Sequence, residues 1–300
     1  MKKVLITGAT GFIGRHCLPF LLERGFEIHA VSSRRQAEAP RSVFWHQADL
    51  MNFAEVGTLV TDVKPTHLLH FAWITTPKEY WVSSENLRWV LASVNLLQAF
   101  VAHGGQRVVK AGTCAEYDWR YGYSAEYLTP LAPATLYGAC KHSLQVMLDA
   151  YAKQAGLSAA WGRVFFVYGP HEHSQRLVPT VIRSLLKGEQ ARCSQGDQVR
   201  DFLYVEDIAE AFVALLESDI GGAVNIASGV PLRLRDMICV IAEALNRRNL
   251  VQLGALPTSS EEPPFLVADV NRLTKEVGWR PRYSLEKGLQ QTIAWWKSQL

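Results

Sequence analysis

Residues 4–14 read Val-Leu-Ile-Thr-Gly-Ala-Thr-Gly-Phe-Ile-Gly, a short apolar run followed by three evenly spaced glycines. The run predicts a strand, and the residues after it have the apolar periodicity of a helix. Gly8 permits a tight turn, Gly11 lets backbone amides approach a bound group, and Gly14 lets the helix pack against the sheet. The helix N-terminus offers unpaired N–H groups and a favourable dipole to an anion. This context predicts a turn that binds a dinucleotide pyrophosphate through Gly8, Thr10, Gly11, Phe12, Ile13 and Gly14.

The first half of the chain continues this alternation of strand and helix. Short β-branched runs predict strands at Val4–Thr7, Glu27–Val31, Val43–His46, His67–Phe71, Arg107–Ala111 and Ala159–Phe165. Helical periodicity lies between them, at Ile13–Glu23, Asn52–Thr61, Asn86–His103 and Tyr137–Gln154. Continuous apolar strands separated by helices are typical of a parallel sheet covered on both faces. We therefore predict an α/β fold with a Rossmann-type, doubly wound parallel sheet.

The pattern becomes less regular after Gly169-Pro170. Helices are predicted at Leu177–Leu186, Val205–Leu216, Leu234–Leu245 and Leu285–Lys297. No linker, low-complexity tract or internal repeat separates the two halves. The sequence thus predicts a nucleotide-binding core over residues 1–170 and a smaller C-terminal α/β substrate lobe, mainly within residues 171–300, with some chain returning to the core.

Composition excludes several classes of partner. The chain has 300 residues, 48% of them hydrophobic, and a formal net charge of +3, which is too small for a nucleic-acid surface. Five cysteines lie far apart, without disulfide or zinc spacing, and indicate reduced thiols. Glycines interrupt the apolar run at the N-terminus, and no later stretch is long enough for a membrane span. We expect a cytoplasmic protein with neither a nucleic-acid nor a membrane partner.

The residues after the second predicted strand indicate the type of dinucleotide. An acidic residue there would hydrogen-bond the ribose hydroxyls of NAD. Residues 32–35 instead read Ser-Ser-Arg-Arg, and the first carboxylate after them is that of Glu38. A guanidinium can hold a 2′-phosphate by two hydrogen bonds, and serine hydroxyls can add more. We predict NADP(H) as the preferred cofactor, bound by Ser33 and Arg34, with NAD(H) as the alternative.

A tyrosine and a lysine, Tyr137 and Lys141, lie one helical turn apart on the same face of a predicted helix. The lysine charge favours the phenolate, so the phenol could exchange a proton near neutral pH. Tyr283 and Lys287 have the same spacing, but they lie late in the chain and far from the glycine turn. Thr113 ends the fifth strand, at the carboxyl edge where ligands of such sheets bind. We predict that its hydroxyl hydrogen-bonds a substrate oxygen beside Tyr137.

Together these segments resemble the extended short-chain dehydrogenase/reductase family of nucleotide-sugar epimerases, dehydratases and ketoreductases. The resemblance covers nearly the whole chain, through residues 7–14, 48–50, 70–73, 126–137, 163–170 and 200–207, in that order. It implies that Thr113, Tyr137 and Lys141 are the catalytic triad, and that Tyr137 and Lys141 also contact the cofactor. It further implies that Asp49 and Leu50 lie near the adenine, with Phe71, Ala72 and Trp73 beneath the cofactor.

The same resemblance implies the partners of the protein. Arg200 would bind the diphosphate of a nucleotide sugar, a role that suits its permanent charge. Family members often form homodimers by pairing the helices that here begin near Asn86 and Tyr137. We therefore expect a homodimer that acts on a nucleotide-sugar substrate.

The chain departs from the family pattern at several positions. Phe166 stands where an asparagine is common, Trp89 where many relatives carry an asparagine, and Asp118 where glycine is usual. Phe265 stands where a second diphosphate-binding arginine often lies. We expect the contacts to the nucleotide and to the sugar to differ from those of many relatives.

Three residues near the predicted triad bear on the reaction. Family dehydratases carry an Asp-Glu pair directly after the catalytic threonine, and those positions are Cys114 and Ala115 here, so we expect no dehydration. His171 matches the histidine that the GDP-fucose synthase branch uses together with a cysteine to epimerise ring carbons. The position of that cysteine is Ala115, and Cys114 is one residue away, which changes the face. We expect Cys114 and His171 to be substrate contacts, with no metal site at residues 171–173.

The resulting functional hypothesis is an NADPH-dependent reduction, at C4, of a 4-keto-6-deoxy sugar on a nucleoside diphosphate. The first alternative is a C4 epimerase that oxidises and reduces its sugar again through tightly held NAD. The second alternative, from another class, is a non-catalytic NADP-binding regulatory protein.

Overall fold

The computed structural model describes residues 2–34, 42–258 and 262–300. Its strands are β1 Lys3–Thr7, β2 Glu27–Ser32, β3 Val43–Gln47, β4 His67–His70, β5 Arg107–Thr113, β6 Tyr123–Ser124, β7 Ser158–Val164, β8 Phe166–Tyr168, β9 Ala191–Arg192, β10 Val199–Tyr204, β11 Gly222–Ile226, β12 Pro231–Arg233, β13 Val251–Gln252 and β14 Phe265–Ala268. Its helices are α1 Gly14–Glu23, α2 Phe53–Val63, α3 Glu85–Ala102, α4 Leu136–Ala155, α5 Leu177–Leu186, α6 Val205–Glu217, α7 Leu234–Ala244 and α8 Leu285–Gln299. Every predicted strand and helix is present, with each end within two residues of its predicted position.

The central sheet consists of parallel strands in the order β11-β7-β5-β4-β1-β2-β3. The chain enters this sheet in the middle, at β1, and winds outward in both directions, so the predicted Rossmann-type fold is confirmed. The strand at one edge, β11, comes from the second half of the chain and pairs with β7. The boundary near residue 170 therefore stays a prediction, because chain beyond it completes the central sheet.

Helices cover both faces of the central sheet, as its apolar strands require. Successive residues of β5 point to opposite faces. Val109 joins the core beneath α1 and α6, together with Phe212. Val108 joins the core beneath α2, α3 and α4, together with Leu96 and Leu144. These two layers fix the carboxyl ends of the strands along one edge, where the predicted site residues lie.

A second sheet lies beside the first. After β7 the chain leaves the central sheet, and β8 pairs with β10 instead. β10 also pairs with β12 and β14, and β14 pairs with β6. On this side α5, α7 and α8 pack around Ile182, Ile241 and Ile293. The predicted strand that ended at Phe165 ends at Val164, since the chain changes sheets at this point.

Three structural facts bear on the expected partners. Among the described residues, no helix combines the length and the apolarity needed to cross a bilayer. The cysteines all lie within the described ranges, and each is a free thiol. In the same part of the chain, no group of His, Cys, Asp and Glu side chains is arranged to hold a metal ion.

We expect Gly14→Ala to destabilise the fold. A Cβ at Gly14 would lie 2.2 Å from the carbonyl oxygen of Gly8, and this backbone atom cannot move away without opening the turn. Overpacking of this kind lowers the free energy of unfolding by about 1–3 kcal/mol, measurable by urea denaturation. Gly57→Ala in α2 is the matched control, because a Cβ there meets nothing within 4 Å. It should raise the free energy of unfolding by roughly 0.5–1 kcal/mol, and equal midpoints for the two variants would contradict this account.

Candidate active site

The backbone of the glycine turn packs against the residues that follow β4. Gly8 has a φ of +69°, and a Cβ at this position would lie 2.8 Å from the backbone nitrogen of Ala72. The N–H of Gly11 donates to the carbonyl of Gly8 at 2.9 Å, which tightens the turn. Ile13, the residue before α1, provides no side-chain cap for the first N–H groups of the helix. The glycines leave the backbone of the turn uncovered, and together with the uncapped helix N-terminus they fit the pyrophosphate of a dinucleotide.

Arg15, which the sequence analysis missed, holds the rim of this turn. Its guanidinium donates to the carbonyl of Thr10 at 2.6 Å and to Nδ1 of His171 at 2.7 Å. Burial and the neighbouring guanidinium lower the pKa of His171 to about 4, so its ring is neutral and accepts. The His171 ring also packs 4.6 Å from that of Trp295 on α8. The structure thus places His171 against the glycine turn. The role of His171 as a substrate contact stays a prediction.

The residues predicted to bind the adenosine part lie at the ends of β2 and β3. Ser33 and Arg34 are exposed directly after β2, and the N–H of Arg34 donates to Oγ of Ser32 at 3.1 Å. Asp49 accepts a hydrogen bond from the N–H of Met51 at 2.9 Å. Leu50 is buried in the core beneath α2, α3 and α4. Arg35 and Glu38, which also served to predict NADP(H) as the cofactor, lie outside the described residues.

The segment predicted to pass beneath the cofactor follows β4 in the structure. Phe71 packs against Phe212 of α6, with ring centroids 4.8 Å apart. Trp73 is 8% exposed, and its indole N–H donates to the side-chain oxygen of Asn86 at 2.8 Å. The indole ring lies 4.2 Å from Nζ of Lys141. The segment therefore connects the glycine turn to the predicted catalytic lysine.

The three residues of the predicted triad converge. Thr113 ends β5 and lies near the phenol of Tyr137, which is in the first turn of α4. The side chain of Thr135 accepts from the N–H of Gly138 at 3.1 Å and caps the start of this helix. One turn later, Nζ of Lys141 lies 5.8 Å from the centroid of the Tyr137 ring. Their catalytic roles stay predictions, which this geometry permits.

Burial determines the protonation states of the phenol and the amine. It raises the pKa of Tyr137, although the nearby hydroxyl of Thr113 opposes the change. It also lowers the pKa of Lys141 to about 7. Near neutral pH the phenol therefore carries its proton, and about half of the Lys141 amines are charged, fewer than the sequence argument assumed.

A buried ion pair, which the sequence analysis missed, fixes the end of β5. Glu116 is 0% exposed and accepts from the N–H of Thr113 at 2.8 Å, from the indole of Trp161, and from Nε of Arg163 at 2.7 Å. The guanidinium of Arg163 also donates to the side-chain oxygen of Gln145 at 2.9 Å. The signal in the sequence was a lone arginine within the apolar strand β7.

Aromatic side chains surround the phenol of Tyr137. The centroids of the Tyr80 and Trp81 rings lie 4.9 and 5.7 Å from the centroid of the Tyr137 ring. Trp119 packs against Trp81, with centroids 6.0 Å apart. The N–H of Tyr137 donates to the carbonyl of Trp81 at 3.2 Å, which holds this loop against α4. The phenol of Tyr137, the predicted proton donor, is thus enclosed on one side by apolar surface.

The predicted substrate residues Arg200 and Cys114 lie on the same side of the site. Arg200, on β10, is 4% exposed and donates to the carbonyl of Pro263 at 2.7 Å and to Glu262 at 3.3 Å. Its guanidinium also lies 5.4 Å from the centroid of the Phe166 ring. Burial raises the pKa of Cys114 to about 12, and the nearby charge of Arg200 opposes this shift. A thiol with such a pKa is not a nucleophile near neutral pH.

The second Tyr/Lys pair of the sequence is separate from this site. Tyr283 and Lys287 lie at the start of α8, where the Tyr283 hydroxyl donates to Glu206 at 2.7 Å. By contrast, Tyr137, Lys141 and Thr113 lie together at the carboxyl edge of the central sheet. A glycine turn and such a group on a doubly wound sheet define an extended short-chain dehydrogenase/reductase.

Comparison with known families identifies the family. The sequence model of the NAD dependent epimerase/dehydratase family matches residues 4–227. The chain therefore belongs to this family, as one of its enzymes. The match spans the glycine turn, the residues that converge at the end of β5, and Arg200.

Relatives of this chain have names that refer to nucleotide sugars. UDP-glucuronic acid decarboxylase 1 of Xenopus tropicalis is 27% identical over 312 residues, covering 100% of this chain and 73% of the relative. CDP-abequose synthase of Salmonella muenchen is 22% identical, covering 98% of this chain and 97% of the relative. The crystal structure of UDP-glucose 4-epimerase from Thermus thermophilus in complex with NAD is 28% identical, with a TM-score of 0.86 and coverage of 99% and 100%.

We expect Glu116→Gln to destabilise the protein strongly. The substitution leaves Arg163 as an uncompensated buried charge, which lowers the free energy of unfolding by about 3–5 kcal/mol. Glu85→Gln is the control, since its ion pair with Arg88 is exposed and contributes roughly 0.5 kcal/mol or less. Denaturant unfolding of both variants measures the difference. A loss for Glu116→Gln no larger than that of the control would show that the buried pair does not stabilise the fold.

Proposed function

We propose that the protein reduces the C4 ketone of a nucleoside-diphosphate 4-keto-6-deoxy sugar with NADPH. The observation that carries this proposal is the chemistry at the end of β5. Reduction needs one proton donor beside the ketone, whereas elimination of water needs a further acid and base. Cys114 and Ala115 follow the threonine, and the carboxylate of Glu116 is engaged by Arg163. Among the described residues at this strand end, the phenol of Tyr137 is the group left to give a proton.

The chain's own residues have defined roles in this reaction. When bound, the nicotinamide supplies hydride chemistry at carbon. Tyr137 donates its proton to the C4 oxygen, as general acid. The hydroxyl of Thr113 accepts from the N–H of Ala115 at 3.2 Å, so its own proton can be donated to the substrate oxygen and orient it. The ammonium of Lys141 favours the phenolate that remains on Tyr137.

The nucleotide of the substrate is proposed to bind on the side of β10. Arg200 donates to backbone carbonyls and to Glu262, and a phosphate oxygen would replace the exposed carboxylate of Glu262 as its acceptor. This role for Arg200 supports the proposal that residues 171–300 mainly bind substrate, apart from β11 and α6.

The preference for NADP(H) is also a proposal. Two observations support it: Ser33 and Arg34 are exposed at the end of β2, and no carboxylate lies within residues 32–35. A permanent positive charge at this position suits a 2′-phosphate and provides no acceptor for the ribose hydroxyls of NAD. NAD(H) remains the alternative cofactor.

A C4 epimerase is the second candidate function. The similarity to the Thermus thermophilus UDP-glucose 4-epimerase, whose structure contains NAD, favours it. In that case the same triad would act in both directions on one sugar, through a cofactor that stays bound. A non-catalytic regulatory protein would have no use for the convergence of Tyr137 and Lys141 at the end of β5, and this convergence favours an enzyme.

The decisive experiment mixes the purified protein with nucleoside-diphosphate 4-keto-6-deoxy sugars and follows the loss of NADPH absorbance, with NADH in parallel. We expect NADPH to be consumed in stoichiometric amounts and a C4 alcohol to form, identified by mass spectrometry. Tyr137→Phe should lower kcat by about 100- to 10,000-fold, because the general acid is lost. Tyr283→Phe, in the other Tyr/Lys pair, is the matched control and should keep the parental kcat.

The alternative gives a different result in the same assay. NAD that remains bound through purification, with interconversion of UDP-hexoses and no consumption of NADPH, would identify the C4 epimerase. Failure to reduce any 4-keto sugar of the panel would reject the reductase.

We also propose that the protein is a homodimer through the outer faces of α3 and α4. These helices pack together and expose Leu87, Leu91, Val146 and Met147, which are between 40% and 62% exposed. An apolar groove between them is lined by Val94, Leu97, Gln98, Leu144, Met147, Leu148 and Tyr151. Burying such a continuous apolar surface stabilises a dimer.

We expect Leu91→Glu to produce monomers. A carboxylate buried in an apolar interface without a partner weakens association by about 10-fold or more. Leu128→Glu is the control, because Leu128 is 86% exposed in the loop before α4. Sedimentation equilibrium should give a dimer for the parent and for Leu128→Glu. A parental mass of 33.6 kDa in solution would contradict the dimer.

A cytoplasmic location, without a nucleic-acid or membrane partner, completes the proposal. Free thiols at all cysteines suit a reducing compartment. The formal net charge of +3 gives no basic surface for nucleic acid.

A further inference from the structure

Lys110 lies inside the core, next to the predicted catalytic lysine. It is 2% exposed, and the alternation along β5 places it on the same face as Val108, in the core beneath α2, α3 and α4. Its neighbours in the sheet are His70 on β4 and Trp161 on β7. A charged lysine at such a position destabilises the fold, whereas an apolar side chain of similar length would not. Its presence therefore points to a function.

The amines of Lys110 and Lys141 are direct neighbours. Both lie over the indole ring of Trp73, with Nζ atoms 5.0 and 4.2 Å from the ring centroid. Each lysine also shifts the pKa of the other. Lys110 also donates to the carbonyl of Ala72 at 3.4 Å, and Lys141 to the carbonyl of Ala111 at 2.9 Å.

The groups around the two amines balance at most one positive charge. Burial and the two lysines hold the pKa of His70 well below its ordinary value, so that ring is neutral. The phenol of Tyr137 is neutral as well, because burial raises its pKa. The charge of the Glu116 carboxylate raises the pKa of Lys141. The same carboxylate forms an ion pair with Nε of Arg163 at 2.7 Å. Within the described ranges, neither amine forms an ion pair with a carboxylate, and both donate to backbone carbonyls.

We propose that Lys110 is a positioning residue for Lys141: the two lysines hold a single positive charge, and the neutral amine of Lys110 accepts a hydrogen bond from the Lys141 ammonium. Two adjacent ammonium groups in a core of low dielectric constant repel each other strongly, so one of them loses its proton. Burial and the neighbouring ammonium lower the pKa of Lys110 well below its ordinary value. Lys110 in turn raises the pKa of Lys141 against the effect of burial. Lys110 thus helps to keep the charge on the lysine beside Tyr137.

This inference rests on the proposed role of Lys141, and it does not depend on which sugar the protein reduces. The test uses the full chain with lysines labelled by ¹⁵N and ¹³C, without substrate, so its outcome is independent of the activity assay. The variants are Lys110→Met, which has a similar length and no charge, and the control Lys153→Met, which removes an exposed lysine from the same helix as Lys141. Lys141→Met assigns the Lys141 signal by its loss.

In the parent we expect the Lys110 signal to be that of a neutral amine at pH 7, with Lys141 titrating near neutral pH. Lys110→Met should lower the pKa of Lys141 by about half to one unit, because one hydrogen bond to the ammonium is lost. Lys153→Met should leave the pKa of Lys141 at its parental value. An unchanged or raised pKa of Lys141 in Lys110→Met would overturn the proposal, since a raised value means that Lys110 carries the charge.

A second measurement covers the case in which Lys110→Met fails to fold. The titration of the parent alone then decides, because two ammonium signals at pH 7 would refute the single shared charge.

If the variant folds, its free energy of unfolding at pH 7 should equal or exceed that of the parent. The unfolded parent takes up a proton that the folded Lys110 lacks, so parental stability rises between about pH 7 and 9. Lys110→Met should show a shallower rise, and the same slope as the parent would overturn the proposal.

Discussion

The candidate site depends on one close contact between the backbone of α4 and the turn that follows β5. A Cβ at Gly138 would lie 2.3 Å from the carbonyl oxygen of Ala115, so the helix can come this near because glycine stands there. The approach brings Tyr137 near Thr113, and one turn later it lets Lys141 reach the backbone of β5. The convergence of the three side chains is therefore a consequence of backbone packing and does not need the side chains to attract one another.

Buried charge is the second condition of the site. Glu116 and Arg163 are both 0% exposed, and together they form a compensated pair that holds the backbone N–H of Thr113. Such pairs contribute little net stability relative to apolar residues, but removing one partner is costly. The pair therefore fixes geometry more than it stabilises the fold. Lys110 on β5 and Lys141 on α4 are buried near this pair, and the charge of Glu116 acts on Lys141.

The parts of the structure that are local in sequence could be predicted from it, whereas contacts between distant residues could not. The strand, turn and helix of residues 4–23 follow from the apolar run and the glycines, and the structure reproduces them within one residue. The approach of Tyr137 to Thr113 could be predicted in outline, because strand ends in a parallel sheet share one edge. By contrast, His171 bonds to Arg15, a residue 156 positions away, and neither local propensity nor hydrophobic period contains such information. The pairing of β8 with β10 was hidden for the same reason, and it ends β7 earlier than its apolar pattern indicated.

The segment Arg200–Asp207 shows how the two sheets are joined. Asp201 is 0% exposed and accepts hydrogen bonds from the backbone N–H groups of Ser228 and Ala268, at 2.8 and 3.2 Å, which ties β10 to β14 and to the loop after β11. Asp207 accepts from the two backbone N–H groups of residues 282 and 283, before α8. The carboxylates of Asp201 and Asp207 therefore hold backbone groups of the fold in place. By contrast, Glu262, the carboxylate partner of Arg200, is 54% exposed. A phosphate bound at Arg200, as proposed, would displace only this exposed partner and would release it to solvent. The carboxylates that join the two sheets would keep their hydrogen bonds, so the packing that positions Arg200 does not depend on the carboxylate that an anion would replace.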